Sequence, residues 1–187
     1  AGSIRVLGED PRRGGPALRR RIGFIAGELR LDGRMTGGRL LDFYTEVSGP
    51  VRPGMIRDLA ERLDLDLARP VHTLSKGNKQ KLGIVQAFMH EPPLLVLDEP
   101  TSALGVRQSG IVLKYILAAR DRGVAVVFIT HNPHHAFLVG DRYYLLNRGR
   151  MIADFKRGKV ELEELVQAMA GGAELESLAH EISSSRE

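Results

Sequence analysis

Residues 94–99, Leu94-Leu95-Val96-Leu97-Asp98-Glu99, and residues 124–131, Val124-Ala125-Val126-Val127-Phe128-Ile129-Thr130-His131, decide the fold. Each is an unbroken apolar run that stops abruptly at polar side chains. A run of this kind suits a strand buried on both faces of a sheet. Between the two, residues 106–120 bring Leu113, Ile116 and Leu117 round at helical spacing, and Gly123 ends the helix. Strand, helix, strand is a βαβ unit, so the strands are predicted to run parallel. Ligands of open α/β sheets bind beyond the C-terminal ends of the strands. The pattern therefore places Asp98, Glu99 and His131 around one crevice.

Outward from this unit the chain changes character in both directions. Tyr143–Asn147 and Arg150–Phe155, joined at Arg148-Gly149, read as a hairpin. Helical stretches follow at Glu161–Met169 and Glu174–Ile182, parted by Gly171-Gly172. Upstream, residues 36–73 are predicted to be helical, because Leu40, Leu41, Phe43, Tyr44 and Val47, then Ile56, Leu59, Ala60 and Leu63, recur at helical spacing. Residues 78–89 carry Leu82, Val85 and Met89 in the same way. Residues 1–25 read as short β segments around a Pro/Gly-rich loop, with Gly2–Gly8 as one strand and Ile22–Ile25 as another. The fold class is α/β: a mostly parallel sheet flanked by helices, a small helical subdomain and an N-terminal β segment. The predicted divisions are 1–35, 36–73 with a helix at 74–90, 91–160 and a helical tail at 161–187.

The 187 residues are 43% hydrophobic and 27% charged, an ordinary composition for one folded domain with a core. There is no cysteine, which excludes disulfides and thiolate metal sites and fits the cytosol. The longest apolar stretch, Val124–Ile129, is far too short to span a bilayer, and nothing at the N-terminus reads as a signal peptide. The net charge is +4, with arginines clustered at Arg12-Arg13 and Arg19-Arg20-Arg21. No aromatic residues interleave with them to stack on bases, so a solvated face is favoured and no nucleic acid is expected.

Asp98-Glu99 carries the first chemical signal. Carboxylates at the end of a buried strand are costly unless compensated, and a divalent cation can compensate them. One carboxylate can hold Mg²⁺ while the next polarises a water for attack on a phosphoryl group. On the acids alone, a polar strand end remains equally open. Ser75 can cap a helix, and Gly77 lets backbone N–H groups approach a phosphate at that helix's positive end. Taken alone, Ser-Lys-Gly reads as an ordinary helix start. His131, His134 and His135 form an H-x-x-H-H string in which metal binding is possible, but no cysteine or nearby acid supports it. An exposed helix face is the preferred reading for His134 and His135.

Taken together these strings resemble a known family. Leu94–Leu104 resembles the Walker B and D-loop region of ABC ATPases. Leu74-Ser75-Lys76-Gly77-Asn78-Lys79-Gln80 resembles their LSGGQ signature, and His131 resembles their switch histidine. All stand in the family's order and spacing, and the resemblance covers nearly the whole chain. It implies a P-loop NTPase-like fold and an ATP-hydrolysing subunit with Mg²⁺. Asp98 would bind the metal, Glu99 would be the general base, and His131 would contact the γ-phosphate. Ser75, Gly77 and Gln80 would contact nucleotide held by a second ATP-binding subunit in a head-to-tail dimer. The other implied partner is a transmembrane permease, with the chain peripheral on the inner face of the cell membrane.

The departures are specific. Lys76 and Asn78 replace Gly and Gln of the signature, and Gly105 replaces the D-loop aspartate. Gly27, followed by Glu28, stands where many relatives carry the Q-loop glutamine. No Gly-x-x-x-x-Gly-Lys-Ser/Thr string occurs, and the Gly158-Lys159 pair is followed by Val160. The expectation is an N-terminally truncated transporter ATPase, inactive as it stands; the alternatives are a non-hydrolysing nucleotide-dependent interaction module, with the loop truly lost, and a non-transport relative acting on DNA or ribosomes. Residues 71–89 resemble ATPases of drug or antibiotic exporters, whereas the chain from about Ala103 resembles those of monosaccharide importers. A join near Asp98–Leu104, natural or from assembly of the sequence, is an open reading; on it the helix at Lys76–His90 is expected to pack less well against the helix at 106–120 and the strand at 124–129 than those two pack on each other.

Overall fold

The computed structural model describes residues 2–29, 31 and 33–171. They form two compact units, the first running to Ile129 and the second starting at Thr130.

The first unit contains α1 (Gly15–Arg19), β1 (Ile22–Ile25), α2 (Gly37–Ser48), α3 (Met55–Arg62), α4 (Lys76–Phe88), β2 (Leu94–Asp98), α5 (Val106–Asp121) and β3 (Ala125–Ile129). The strands make one three-stranded sheet in the order β1-β2-β3. Both pairings are parallel, with Phe24 beside Val96, Val96 beside Val127 and Asp98 beside Ile129. The predicted βαβ unit is thus present. Helices α2 and α3 fill the predicted helical region, and α2 starts where the Thr36 hydroxyl accepts from the Arg39 N–H.

The N-terminal strand over Gly2–Gly8 is not formed. These residues make only an isolated bridge between Val6 and Glu9, closed by positive φ at Leu7 and Gly8. Residues 15–19 are a short helix instead of β structure. Pro16 sits in its first turn, where a missing N–H costs nothing, and Leu18 is its buried anchor. Of the clustered arginines, Arg20 donates to the Val47 carbonyl at 2.9 Å and Arg21 pairs with Glu9 at 2.9 Å.

One face of the sheet is packed and the other is bare. Ile25, Leu95 and Leu97 are buried, as are Leu82, Ile84, Val85 and Phe88 of α4 and Val112 and Ile116 of α5. The Phe88 ring meets that of Tyr115 on α5 at 5.9 Å. Helix α4 packs on β1 and, through Phe88, meets α5. Side chains alternate along a strand, so the opposite face carries Ile22, Phe24, Leu94, Val96, Ala125, Val127 and Ile129. Phe24 is 53% exposed, and Val127 and Ile129 are each 48% exposed. The apolar runs predicted burial on both faces, but among the described residues no helix of the first unit covers this one.

The second unit contains α6 (Pro133–Val139), β4 (Arg142–Asn147), β5 (Arg150–Lys156) and α7 (Leu162–Met169). The hairpin turns at Arg148-Gly149 as predicted, both residues having positive φ. Tyr143, Leu145, Val160 and Leu165 form its core, with Phe137 and Phe155 packed against them. Across the strands Arg142 forks onto both Asp154 oxygens. That hydrogen bonding raises the Arg142 pKa and lowers that of Asp154. The predicted helix at 174–182 lies outside the described residues. Among the described residues no helix is long and apolar enough to cross a membrane.

A pH response follows from His90, just beyond α4. Both ring nitrogens are buried, and neither has a hydrogen-bond partner of good geometry among the described residues. Burial lowers its pKa below 6.5, outweighing the backbone of Gln86 and Ile22, which pulls upward. As pH falls through about 6.5 the unfolded chain takes a proton that the folded chain refuses, so stability drops until the folded pKa is reached. The melting temperature is expected to fall between pH 7 and pH 5, and less steeply in His90→Leu. Parallel profiles for the two proteins would contradict this.

Candidate active site

β2 carries Asp98 to its last position and Glu99 just past it, at the C-terminal edge of the parallel sheet. Both are half-buried. Asp98 Oδ2 accepts the Gly27 N–H at 3.2 Å, joining the strand end to a residue 71 positions earlier. Gly27 makes this possible by having no side chain. A Cβ there would lie 2.8 Å from Asp98 Oδ2. The Gly27 backbone is thus a cradle against the carboxylate. A hard carboxylate oxygen on a half-buried strand end fits Mg²⁺, which commonly takes one or two carboxylates along with water and phosphate oxygens.

Glu99 has φ of +46°, unusual for a residue with a side chain. Its N–H donates to the Ile129 carbonyl at 2.9 Å, and its carbonyl accepts from the Ser102 N–H at 3.2 Å. The same carbonyl accepts from Gln80 Nε2 at 3.2 Å.

Helix α4 supplies the other half of the arrangement. Ser75 is its N-cap, with the hydroxyl accepting from the Asn78 N–H at 3.2 Å. The first turn has no acidic residue and carries Lys76 and Lys79, so its positive end is uncompensated. Gly77 has a packing reason that sequence reasoning missed. A Cβ there would lie 2.8 Å from the Ala103 carbonyl, so the signature turn and the loop after β2 are pressed together. Gln80 is only 3% exposed and holds the Glu99 backbone. Lys81, beside it, reaches the Asp64 carbonyl at 3.0 Å and ties α4 to the end of α3. Gly105 stands at the N-cap of α5 and provides no side-chain cap.

The structure thus brings Asp98, Glu99, Gly77 and Gln80 together with Gly27 and Ala103. His131 opens the second unit, one residue after Thr130, and is exposed. Beside it the Asn132 side chain caps α6 by accepting from the His135 N–H at 3.1 Å, which leaves His134 and His135 in the helix's first turn. Among the described residues no cluster of three or more His, Cys, Asp or Glu is placed to hold a metal. The sequence singled out Gly27 only as a departure from the resemblance and gave no sign that its N–H meets Asp98; nothing marked Gln80 as a holder of the Glu99 backbone.

A family model described as ABC transporter matches residues 1–102. A ribose import ATP-binding protein of Rubrobacter xylanophilus is 34% identical over 63% of this chain and 24% of its own length. A fructose import ATP-binding protein of Rhizobium meliloti is 35% identical over 58% of this chain and 42% of its own. A putative ribose/galactose/methyl galactoside import ATP-binding protein of Agrobacterium fabrum is 31% identical over 91% of this chain and 35% of its own. The chain therefore spans well under half the length of these relatives. The last alignment runs across Asp98–Leu104, so one importer-type relative spans both halves that the motifs set apart. Among solved structures, an ATP-binding subunit of an ABC transporter matches 91% of this chain and 77% of its own, at 25% identity and TM-score 0.80. A dimeric post-hydrolysis ATP-binding cassette bound to ADP and Pi matches the fold at 21% identity and TM-score 0.69.

Proposed function

Because the chain belongs to the ABC transporter family, we propose that it is part of the ATP-hydrolysing subunit of a monosaccharide importer. The observation that carries this reading is the placement of two consecutive acidic residues at the C-terminal edge of a parallel sheet, with the main-chain carbonyl of the second accepting a hydrogen bond from Gln80 of the signature helix. Asp98 would hold Mg²⁺, which when bound offsets the charge of the phosphates. Glu99 accepts the proton of the attacking water, its turn fixed by three hydrogen bonds. His131 contacts the γ-phosphate. Ser75 and Gly77, at the uncompensated end of α4, meet the phosphates of nucleotide bound by a second subunit. This sequence contains no Gly-x-x-x-x-Gly-Lys-Ser/Thr string, so the grip on the β- and γ-phosphates of its own nucleotide lies with other residues of the assembled ATPase.

The partners in this reading are a second ATP-binding subunit and a transmembrane permease, with the chain at the inner membrane face. Sugar import rests on the relatives' names, all of them sugar-import ATP-binding proteins, and one of them spans 91% of the chain. The test is uptake of labelled ribose, galactose, fructose and xylose by cells or vesicles carrying the assembled transporter. ATP-dependent uptake of one of them is the expected result. ATP turnover that no monosaccharide stimulates, with no uptake, would overturn the assignment of cargo.

A further inference from the structure

Gln80 is a primary amide inside a helix with 3% of its surface exposed. A buried amide is costly unless hydrogen-bonded, and Gln80 spends its Nε2 on the Glu99 carbonyl, 3.2 Å away. Glu99 is the point where the backbone needs support, since a left-handed φ at a non-glycine residue persists only when its surroundings over-determine it. Two bonds that do so are local to the sheet edge and the following turn: Glu99 N–H to Ile129, and Ser102 N–H to Glu99. A further one comes from α4.

We propose that Gln80 is a positioning residue for Glu99, its amide fixing the left-handed turn that aims the Glu99 carboxylate and tying that aim to the seat of α4. This rests on the reading of Glu99 as the general base. The same helix begins with Ser75 and Gly77, so a displacement of its N-terminal turns reaches Glu99 through one side chain. The Gly77–Ala103 approach makes the two segments move together, because a carbonyl pressed against a glycine leaves no slack between them.

Two measurements on the full chain test the proposal, and neither uses nucleotide. In isotopically labelled protein, a through-hydrogen-bond NMR coupling between Gln80 Nε2 and the Glu99 carbonyl carbon is expected. Its absence, where the couplings across β1 and β2 are seen, overturns the proposal whether or not any variant folds. Gln80→Met keeps the length and apolar volume of the side chain and removes the donor. Amide exchange at Glu99 and Ser102 is expected to quicken about fivefold to tenfold, with residues 82–88 of α4 unchanged. Unchanged exchange at Glu99 and Ser102, or equal quickening throughout α4, would make Gln80 a packing residue and overturn the assignment. Failure here is distinct from failure of the base assignment, which ATP turnover of a Glu99 variant reports separately.

Discussion

Glu99→Gln is expected to lower ATP turnover of the assembled transporter by about two orders of magnitude or more, and monosaccharide uptake with it, while nucleotide binding persists. The amide has the shape of the carboxylate but cannot take a proton from water. The substitution leaves the backbone scaffold untouched, because the bonds to Ile129, Ser102 and Gln80 all use main-chain atoms of residue 99. The loss should therefore appear in the rate and not in the melting temperature or the affinity for ATP. Single-turnover hydrolysis measured beside equilibrium binding separates the two. Turnover equal to that of the unmodified complex would remove Glu99 from its role.

Gly23→Ala is expected to cost about 3 kcal/mol of folding stability, near the upper end for overpacking a core. This reverses the usual sign, since alanine is normally the better residue inside a strand. A Cβ on Gly23 would sit 2.2 Å from the Ala87 carbonyl oxygen, 2.6 Å from Leu95 Cδ2 and 2.9 Å from Pro92 Cγ. The nearest of these is helix backbone, which cannot swing aside as a side chain can. β1 and α4 must part, and α4 is the helix that seats Ser75, Gly77 and Gln80. Gly110 on α5 serves as the control, since a Cβ there meets nothing within 4 Å. Gly110→Ala should stabilise by about 0.5–1 kcal/mol through helix propensity. Urea unfolding of both variants checks the pair. A neutral Gly23→Ala would mean that β1 and α4 do not approach as closely as described.

The bare face of the sheet shows where local patterning runs out. Val124–Ile129 reads as a strand buried on both sides, and β3 forms there, yet Val127 and Ile129 are half-exposed. An apolar run records that a face can be buried; which segment covers it depends on packing between distant parts of a chain. The failed strand at Gly2–Gly8 has the same origin. A strand needs a partner at hydrogen-bonding distance, and among the described residues Val6 finds only Glu9.

The sequence by itself determined the parallel βαβ unit, the helices α2 to α5, the hairpin turn at Arg148-Gly149 and the motifs that mark the family. Each is written in neighbouring residues: apolar period, capping side chains, glycine at a positive φ. Only the tertiary structure decided that Gly27 cradles Asp98, that Gly77 yields its space to the Ala103 carbonyl and that Gln80 holds the Glu99 backbone. These contacts join residues from 19 to 71 positions apart. A side chain's chemistry is local, but the partner it meets is set by how helices and strands close on one another, and that closure has no period along the chain to be read.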